Sequence, residues 1–379
     1  MPVISKPGLT FYTNMPTPYQ LDFFSALAKY FTLHVVYFTT READRQWDLS
    51  VEGIEYSVTV LEDSPFAKLI QKKIPSFHYD VHLKSLIDQD NAPYIIVNGT
   101  YWTPNVILAI KNNFKKGRFV AFWSEPVFPV ANALKFRFKR LLLSPVLNHT
   151  SCLLAIGANA EKSFKTYGYK KAIFQLPYNI DTRLFERVNL DQSKLSSLQQ
   201  THRDRSQFIF LTSGSLIYRK GMDTVINAFN AIPDSFNLKL LILGDGEEKL
   251  TLQELAKDNP NIEFLGFQEK NTVPYWFNLA DAFVFASRYD GWGLVINEAL
   301  AASKPIIAST STGAAMDKLG NLNAILLEPE DTVGYTNAMI KISTNKELVQ
   351  SFTKNSGSIR EEVSSDFNAN KLYDICTNS

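Results

Sequence analysis

Asp281-Ala282-Phe283-Val284-Phe285-Ala286-Ser287-Arg288-Tyr289-Asp290-Gly291-Trp292-Gly293-Leu294-Val295-Ile296-Asn297-Glu298-Ala299-Leu300 joins three local patterns in one short run. Ala282 to Ala286 is apolar and of strand length, Gly291 and Gly293 sit in a loop, and Leu294, Val295, Ala299 and Ala302 share one side of a helical pattern. A strand, a glycine loop and a helix start can bind an anion. The glycines let backbone approach a ligand, and the first helical N–H groups, those of Leu294 and Val295, lie at the positive end of the helix dipole. Asp290 and Glu298 bracket that start. An ordinary strand-turn-helix, with Asp290 forming the turn and Glu298 solvated, competes with this reading.

Outward from this stretch, strand-like runs at Phe208 to Thr212, Lys239 to Leu243, Ile262 to Leu265, Pro305 to Ala308 and Ala324 to Leu327 alternate with helical patterns. The run ending at Thr212 leads into Ser213-Gly214-Ser215-Leu216-Ile217-Tyr218-Arg219-Lys220-Gly221 and then a helix from Met222 to Ala231. Arg219 and Lys220 thereby bring two positive charges to a strand end, which suits a diphosphate; a solvated pair at a helix start is the alternative. The next two strands end in Gly244-Asp245-Gly246 and Gly266-Phe267. Glycines there are turn signals without specificity of their own.

The first half repeats the rhythm. Strand-like runs fall at Leu9 to Thr13, His34 to Phe38, Tyr56 to Val60, Tyr94 to Val97, Phe119 to Trp123, Cys152 to Ile156 and Ile173 to Gln175. Leu176-Pro177-Tyr178-Asn179-Ile180-Asp181 reads as a turn-rich connector. The chain therefore builds a parallel α/β sheet twice, and a ligand is expected in a cleft between two such domains. The expected boundaries are 1–180 and 181–359, with a C-terminal helix over about 360–379 packing back on the first domain. Ligand-facing loops of such sheets follow strand carboxyl ends. Asn14 and Thr17, then Tyr101, then Ser124 and Glu125 occupy those places in the first half.

At 379 residues the chain exceeds one ordinary core, and two domains of roughly 150 to 200 residues fit it. The formal net charge of +1 hides an asymmetry. Residues 1–180 hold 20 Lys+Arg against 13 Asp+Glu, net +7, and the remainder 19 against 25, net −6. Part of the basic excess lies in 132–147, where Lys135, Arg137, Lys139 and Arg140 interleave with Leu134, Phe136, Phe138, Leu141 and Leu142. Such a helix suits an anionic membrane surface. The preferred reading is nonetheless a crossover helix whose Leu134, Phe138, Leu141 and Leu142 make a core stripe. Cys152 and Cys376, with five histidines, match no metal or redox spacing, so no metal is expected and the thiols read as cytosolic. No leader pattern or membrane span is evident, so a cytoplasmic protein, free or peripheral at the inner face of a membrane, is expected. No nucleic-acid partner is expected.

Pro177…Asp181…Phe185, Gly214…Lys220-Gly221, Gly244-Asp245-Gly246 and Asp290-Gly291-Trp292-Gly293…Glu298-Ala299-Leu300, in that order, resemble the family-4 glycosyltransferases. That family has the GT-B fold, two facing Rossmann-like domains with a cleft between them. The likeness covers about 170–345, its most specific part being the family's Glu-x7-Glu motif. It implies that Glu298 binds the ribose of a nucleotide sugar and Asp290 the donor sugar. The N–H groups around Gly293, Leu294 and Val295 would cradle the diphosphate with Lys220, and Gly266 and Phe267 would meet the base. Gly214, Ser215, Gly246, Gly291 and Trp292 complete the implied donor site, with Arg219 beside Lys220. A UDP- or GDP-linked sugar, a glycan or lipid-linked glycan acceptor, retention of configuration and no metal or other cofactor are implied as well.

The pattern departs from the family in four places. Asp290 replaces the first motif glutamate, and Ser215 replaces an arginine five residues before the lysine. No histidine lies near Ser124-Glu125, and no glycine pair lies around Asn14 to Tyr19. A nucleotide-sugar epimerase of the same fold and a non-catalytic sugar-nucleotide or glycan-binding protein remain alternatives.

Overall fold

The computed structural model describes residues 6–39, 54–74, 76–204 and 207–378. It divides into two compact units, Met1–Pro177 with Ser365–Ser379, and Tyr178–Ser364. The first unit's strands are β1 Gly8–Thr13, β2 Thr32–Tyr37, β3 Ser57–Val60, β4 Tyr94–Asn98, β5 Phe119–Ser124, β6 Cys152–Ala155 and β7 Ala172–Gln175. They pair in parallel in the order β3-β2-β1-β4-β5-β6-β7. The second unit's strands are β8 Phe208–Ser213, β9 Leu238–Leu243, β10 Ile262–Gly266, β11 Ala282–Phe285, β12 Ile306–Ser309 and β13 Ala324–Leu327. They too are parallel, in the order β10-β9-β8-β11-β12-β13.

Continuous apolar runs explain both sheets. Ile95, Ile96 and Val97 of β4, like Ala282 to Phe285 of β11, are fully buried, as strands covered by helices on both faces must be. Each sheet reverses its order of addition once, between β1 and β4 and between β8 and β11. At such a switch point the adjoining loops leave in opposite directions and open a crevice at the strand carboxyl ends.

The C-terminal helix Ser365–Thr377 belongs to the first unit and packs on helix Pro18–Leu27. Lys29 pairs there with Asp366, and the Tyr30 and Tyr373 rings lie 5.6 Å apart.

The core stripe expected within 132–147 is overturned. In helix Ala133–Leu142, Leu134, Phe138 and Leu141 are 75%, 63% and 67% exposed, and Leu142 is only half-buried. The opposite face docks instead: Phe136 stacks on Tyr167 at 4.8 Å, and Lys139 Nζ donates to the Phe128 carbonyl at 2.6 Å. Periodicity identified the stripe but not the side on which it lies, because Phe136 anchors the helix from the other side.

Candidate active site

In the second unit the loops after β8 and β11, the two strands at the switch point, are locked together. Gly221 ends the turn after β8 and caps helix Met222–Asn230 with φ +64°. A Cβ on it would lie 2.1 Å from the carbonyl oxygen of Ala286, just beyond β11. Only glycine meets both requirements, the left-handed conformation and the backbone contact. Lys220, one residue earlier, is thereby held against the β11 loop.

Charge completes the lock. Lys220 Nζ pairs with Asp290 Oδ2, both side chains being 14% exposed, and Arg219 Nη1 lies 3.7 Å from the same oxygen. Arg219 Nη1 also donates to the Tyr289 carbonyl at 2.7 Å. Behind them stands Arg288. Its guanidinium donates twice to Asp223, each at 2.8 Å, once to Glu330 at 2.7 Å and once to the Tyr218 carbonyl at 2.7 Å. It also lies 3.9 Å from the Tyr218 ring centroid, and its backbone N–H donates to the Arg219 carbonyl at 2.9 Å. The hydrogen bonds from Arg288 hold the Asp223 carboxyl below its ordinary pKa, and Asp223 in turn holds Arg288 above its own.

The glycine loop lies beside this cluster. Gly293 caps helix Leu294–Ala301 with φ +87°, and a Cβ there would meet Thr312 Cγ2 at 2.4 Å. The cap brings no side-chain hydrogen bond, so the opening amides of Leu294 and Val295 suit an external acceptor. Asp290 forms a backbone bridge with Thr312, and Gly313 N donates to the Asp290 carbonyl at 3.1 Å. Gly291 is buried in the same loop.

The implied donor residues divide by exposure. Glu298 is only 4% exposed, whereas Ser215 is exposed and Phe267 is 57% exposed after β10. Gly214 follows β8 beside the Lys220 side chain, Gly246 packs on the Leu216 carbonyl, and Gly266 ends β10, its carbonyl accepting from Gly244 N at 2.8 Å. The Trp292 ring points into the core, with Nε1 donating to Asn297 Oδ1 at 3.2 Å, so this residue offers a ligand only its backbone. Asn297 Nδ2 reaches the Tyr178 carbonyl at 2.7 Å and ties the helix to the connector.

In the first unit, Asn14 and Gly99 meet at the β1/β4 switch, where a Cβ on Gly99 would lie 2.6 Å from Asn14 Oδ1. Thr17 is the N-cap of helix Pro18–Leu27, accepting from Gln20 N at 3.4 Å. Tyr101 is half-buried, its hydroxyl pKa raised by burial, and Ser124 Oγ donates to the Glu125 carbonyl at 2.9 Å, with Glu125 itself exposed. Beneath them runs a neutral chain: Gln20 Nε2 to Thr13 Oγ1 at 3.1 Å, Thr13 Oγ1 to Asn98 Oδ1 at 3.1 Å, and Asn98 Nδ2 to the Trp123 carbonyl at 2.9 Å.

Arg288, Asp223, Thr312 and this chain escaped the sequence reading. Opposite charges at Asp223, three residues after Lys220, and Arg288, two before Asp290, were the available signal for the first pair. The neutral chain left none.

Comparison with known proteins fixes the class. The fold over 98% of this chain matches 100% of HepE from Anabaena in complex with UDP, with a TM-score of 0.78 and 15% identity. The same protein in complex with UDP-glucose matches with a TM-score of 0.76. The fold is thus GT-B, two Rossmann-like domains. Residues 194–358, within the second unit, match the family described as Glycosyl transferases group 1.

Two curated relatives each match part of the chain. The GDP-mannose-dependent monoacylated alpha-(1-6)-phosphatidylinositol monomannoside mannosyltransferase of Corynebacterium glutamicum is 31% identical over 166 residues, 40% of this chain and 42% of that protein. An uncharacterized glycosyltransferase of Methanocaldococcus jannaschii is 32% identical over 156 residues, 39% of this chain and 36% of its own. The chain spans less than half the length of either.

Proposed function

We propose that the protein is a hexosyltransferase that moves a sugar from a UDP- or GDP-linked donor to a hydroxyl of a glycan or lipid-linked glycan, in polysaccharide biosynthesis. The observation that carries this reading is the Lys220–Asp290 pair, flanked by Arg219 and by the amides of helix Leu294–Ala301, at the β8/β11 switch. Glu298 takes the ribose hydroxyls, as an acceptor-only carboxylate can, and Asp290 the sugar hydroxyls. Lys220, Arg219 and the amides of Leu294 and Val295 take the diphosphate.

Rupture of the bond between the anomeric carbon and the diphosphate oxygen leaves an oxocarbenium-like sugar and adds charge to the departing phosphate. Fixed cations and amides stabilise that charge as it develops. One cation about 4 Å away contributes on the order of 4 kcal/mol at an effective dielectric of ~20, or ~10³ in rate if realised in the transition state. In this reading the reaction retains configuration and uses no metal, and Asn14, Thr17, Tyr101, Ser124 and Glu125 mark the acceptor side. The protein works in the cytoplasm, with 132–147 set against the inner face of an anionic membrane; among the described residues no helix is long and apolar enough to cross one.

Lys220→Ala should lower turnover by roughly two to three orders of magnitude. Because the change also strips Asp290 of its partner, Lys220→Ala with Asp290→Asn is assayed beside it, with thermal unfolding as the folding control. Near-normal turnover in a folded Lys220→Ala variant removes the lysine from the mechanism. Product formation without any acceptor indicates the epimerase instead.

A further inference from the structure

Helix Ala133–Leu142 is not alone in facing outward. Helix Pro65–Gln71, after β3, exposes Phe66 and Leu69 at 61% and 64%, and Ile74 just beyond it at 40%. Lys68, Lys72 and Lys73 stand exposed between them, and residues 64–74, like residues 132–142, contain no acid. The two segments share a design: single large apolar side chains projecting from a short helix, interleaved with cations.

An aromatic path leads from the first of these helices to the loop after β4. Phe66 lies 6.4 Å from Phe77, and Phe77 lies 6.3 Å from Trp102 in the loop after β4. Its neighbour Tyr101 packs on the same core cluster as Phe136, whose ring stacks on Tyr167. The strands preceding these segments, β3, β4 and β5, are parallel, so the segments leave one edge of the sheet, the edge bearing Asn14, Tyr101 and Ser124.

We propose that both helices, with Trp102 and Tyr101 between them, form one docking surface for an anionic lipid bilayer. Charge complementarity selects this occupant, because two acid-free segments rich in lysine and arginine match a layer of anionic head groups. Isolated apolar projections suit insertion among acyl chains, and Trp and Tyr suit the head-group level. The inference deepens the membrane reading of 132–147 and does not depend on the transfer reaction. It sets the acceptor-side loops at the lipid surface, where a lipid-linked glycan presents its terminal sugar.

The test is co-sedimentation of the full chain with phosphatidylcholine vesicles, pure or one-third phosphatidylglycerol, at low and high salt. Wild type binds the anionic vesicles at low salt and is released by high salt. Phe66→Ser with Leu69→Ser, and separately Leu134→Ser with Phe138→Ser, each lower partitioning by about tenfold. Lys72→Ala and Lys73→Ala each lower it by about fivefold. These side chains are exposed, and unchanged thermal unfolding verifies the fold. Wild-type binding by the Phe66/Leu69 variant, beside loss in the Leu134/Phe138 variant, overturns the two-helix surface and leaves the 132–147 reading standing. Equal binding to neutral vesicles, or none at all, overturns both. A dimer that these substitutions dissociate, without vesicle binding, gives the face to a second copy of the chain and also overturns the inference.

Discussion

The switch points of the two units solve the same geometric problem with opposite chemistry. At β8/β11, charged side chains and close backbone contacts fasten the loops: Lys220 and Arg219 on Asp290, Arg288 on Asp223, and Gly221 against the Ala286 carbonyl. At β1/β4 the strand ends are tied by neutral hydrogen bonds through Thr13, Gln20 and Asn98. Fixed cations suit a diphosphate, whose charge is the same whatever sugar it carries. Neutral donors and acceptors suit hydroxyls.

The largest structural break falls on the charged side. Gly221→Ala forces a left-handed alanine whose methyl meets a carbonyl oxygen, and it should destabilise the second unit by about 3 kcal/mol or more. Hydrogen exchange reads this locally: helix Met222–Asn230 exchanges faster while β1 and β4 do not. Unchanged protection would mean that the turn after β8 is not held by that contact.

A subtler break is Arg288→Lys, which keeps the charge and loses the planar fork shared by Asp223, Glu330 and the Tyr218 carbonyl. In the proposed reading turnover should fall about tenfold while donor KM changes less, because Arg288 holds the Tyr218–Arg219 turn that precedes Lys220. An equal rise in KM with constant kcat would assign it to ground-state binding. The smallest effect is expected in the first unit. Asn98→Ala breaks the neutral chain at a cost of about 1 to 2 kcal/mol, and nucleotide affinity should stay at its wild-type value. A loss of nucleotide affinity would show that the two switch points are coupled and erase the contrast.

What the sequence disclosed follows the same divide. Strands such as β4 and β11 were legible because burial on both faces demands an unbroken apolar run, and their observed ends fall within a residue of the expected ones. The second switch point was legible in its glycines and charges, since few residue types satisfy a left-handed cap and opposite charges pair where two loops meet. The first was not. Thr13, Gln20 and Asn98 are common polar residues whose partnership exists only once β1 and β4 pair. Trp292 looked like a ligand contact by position, yet its ring is committed to Asn297. The stripe of helix Ala133–Leu142 had the right period and faced the other way, because a hydrophobic period records a face without saying what covers it.

Calorimetric titration of the full chain with UDP and GDP, repeated on Glu298→Gln, tests the central claim most directly. One nucleotide diphosphate should bind the wild type at a single site, and the Glu298→Gln variant should bind it at least about tenfold more weakly, the loss of one hydrogen bond to a charged group. Binding of neither nucleotide, or equal affinity in wild type and variant, would contradict the placement of a nucleotide-sugar site at β8 and β11.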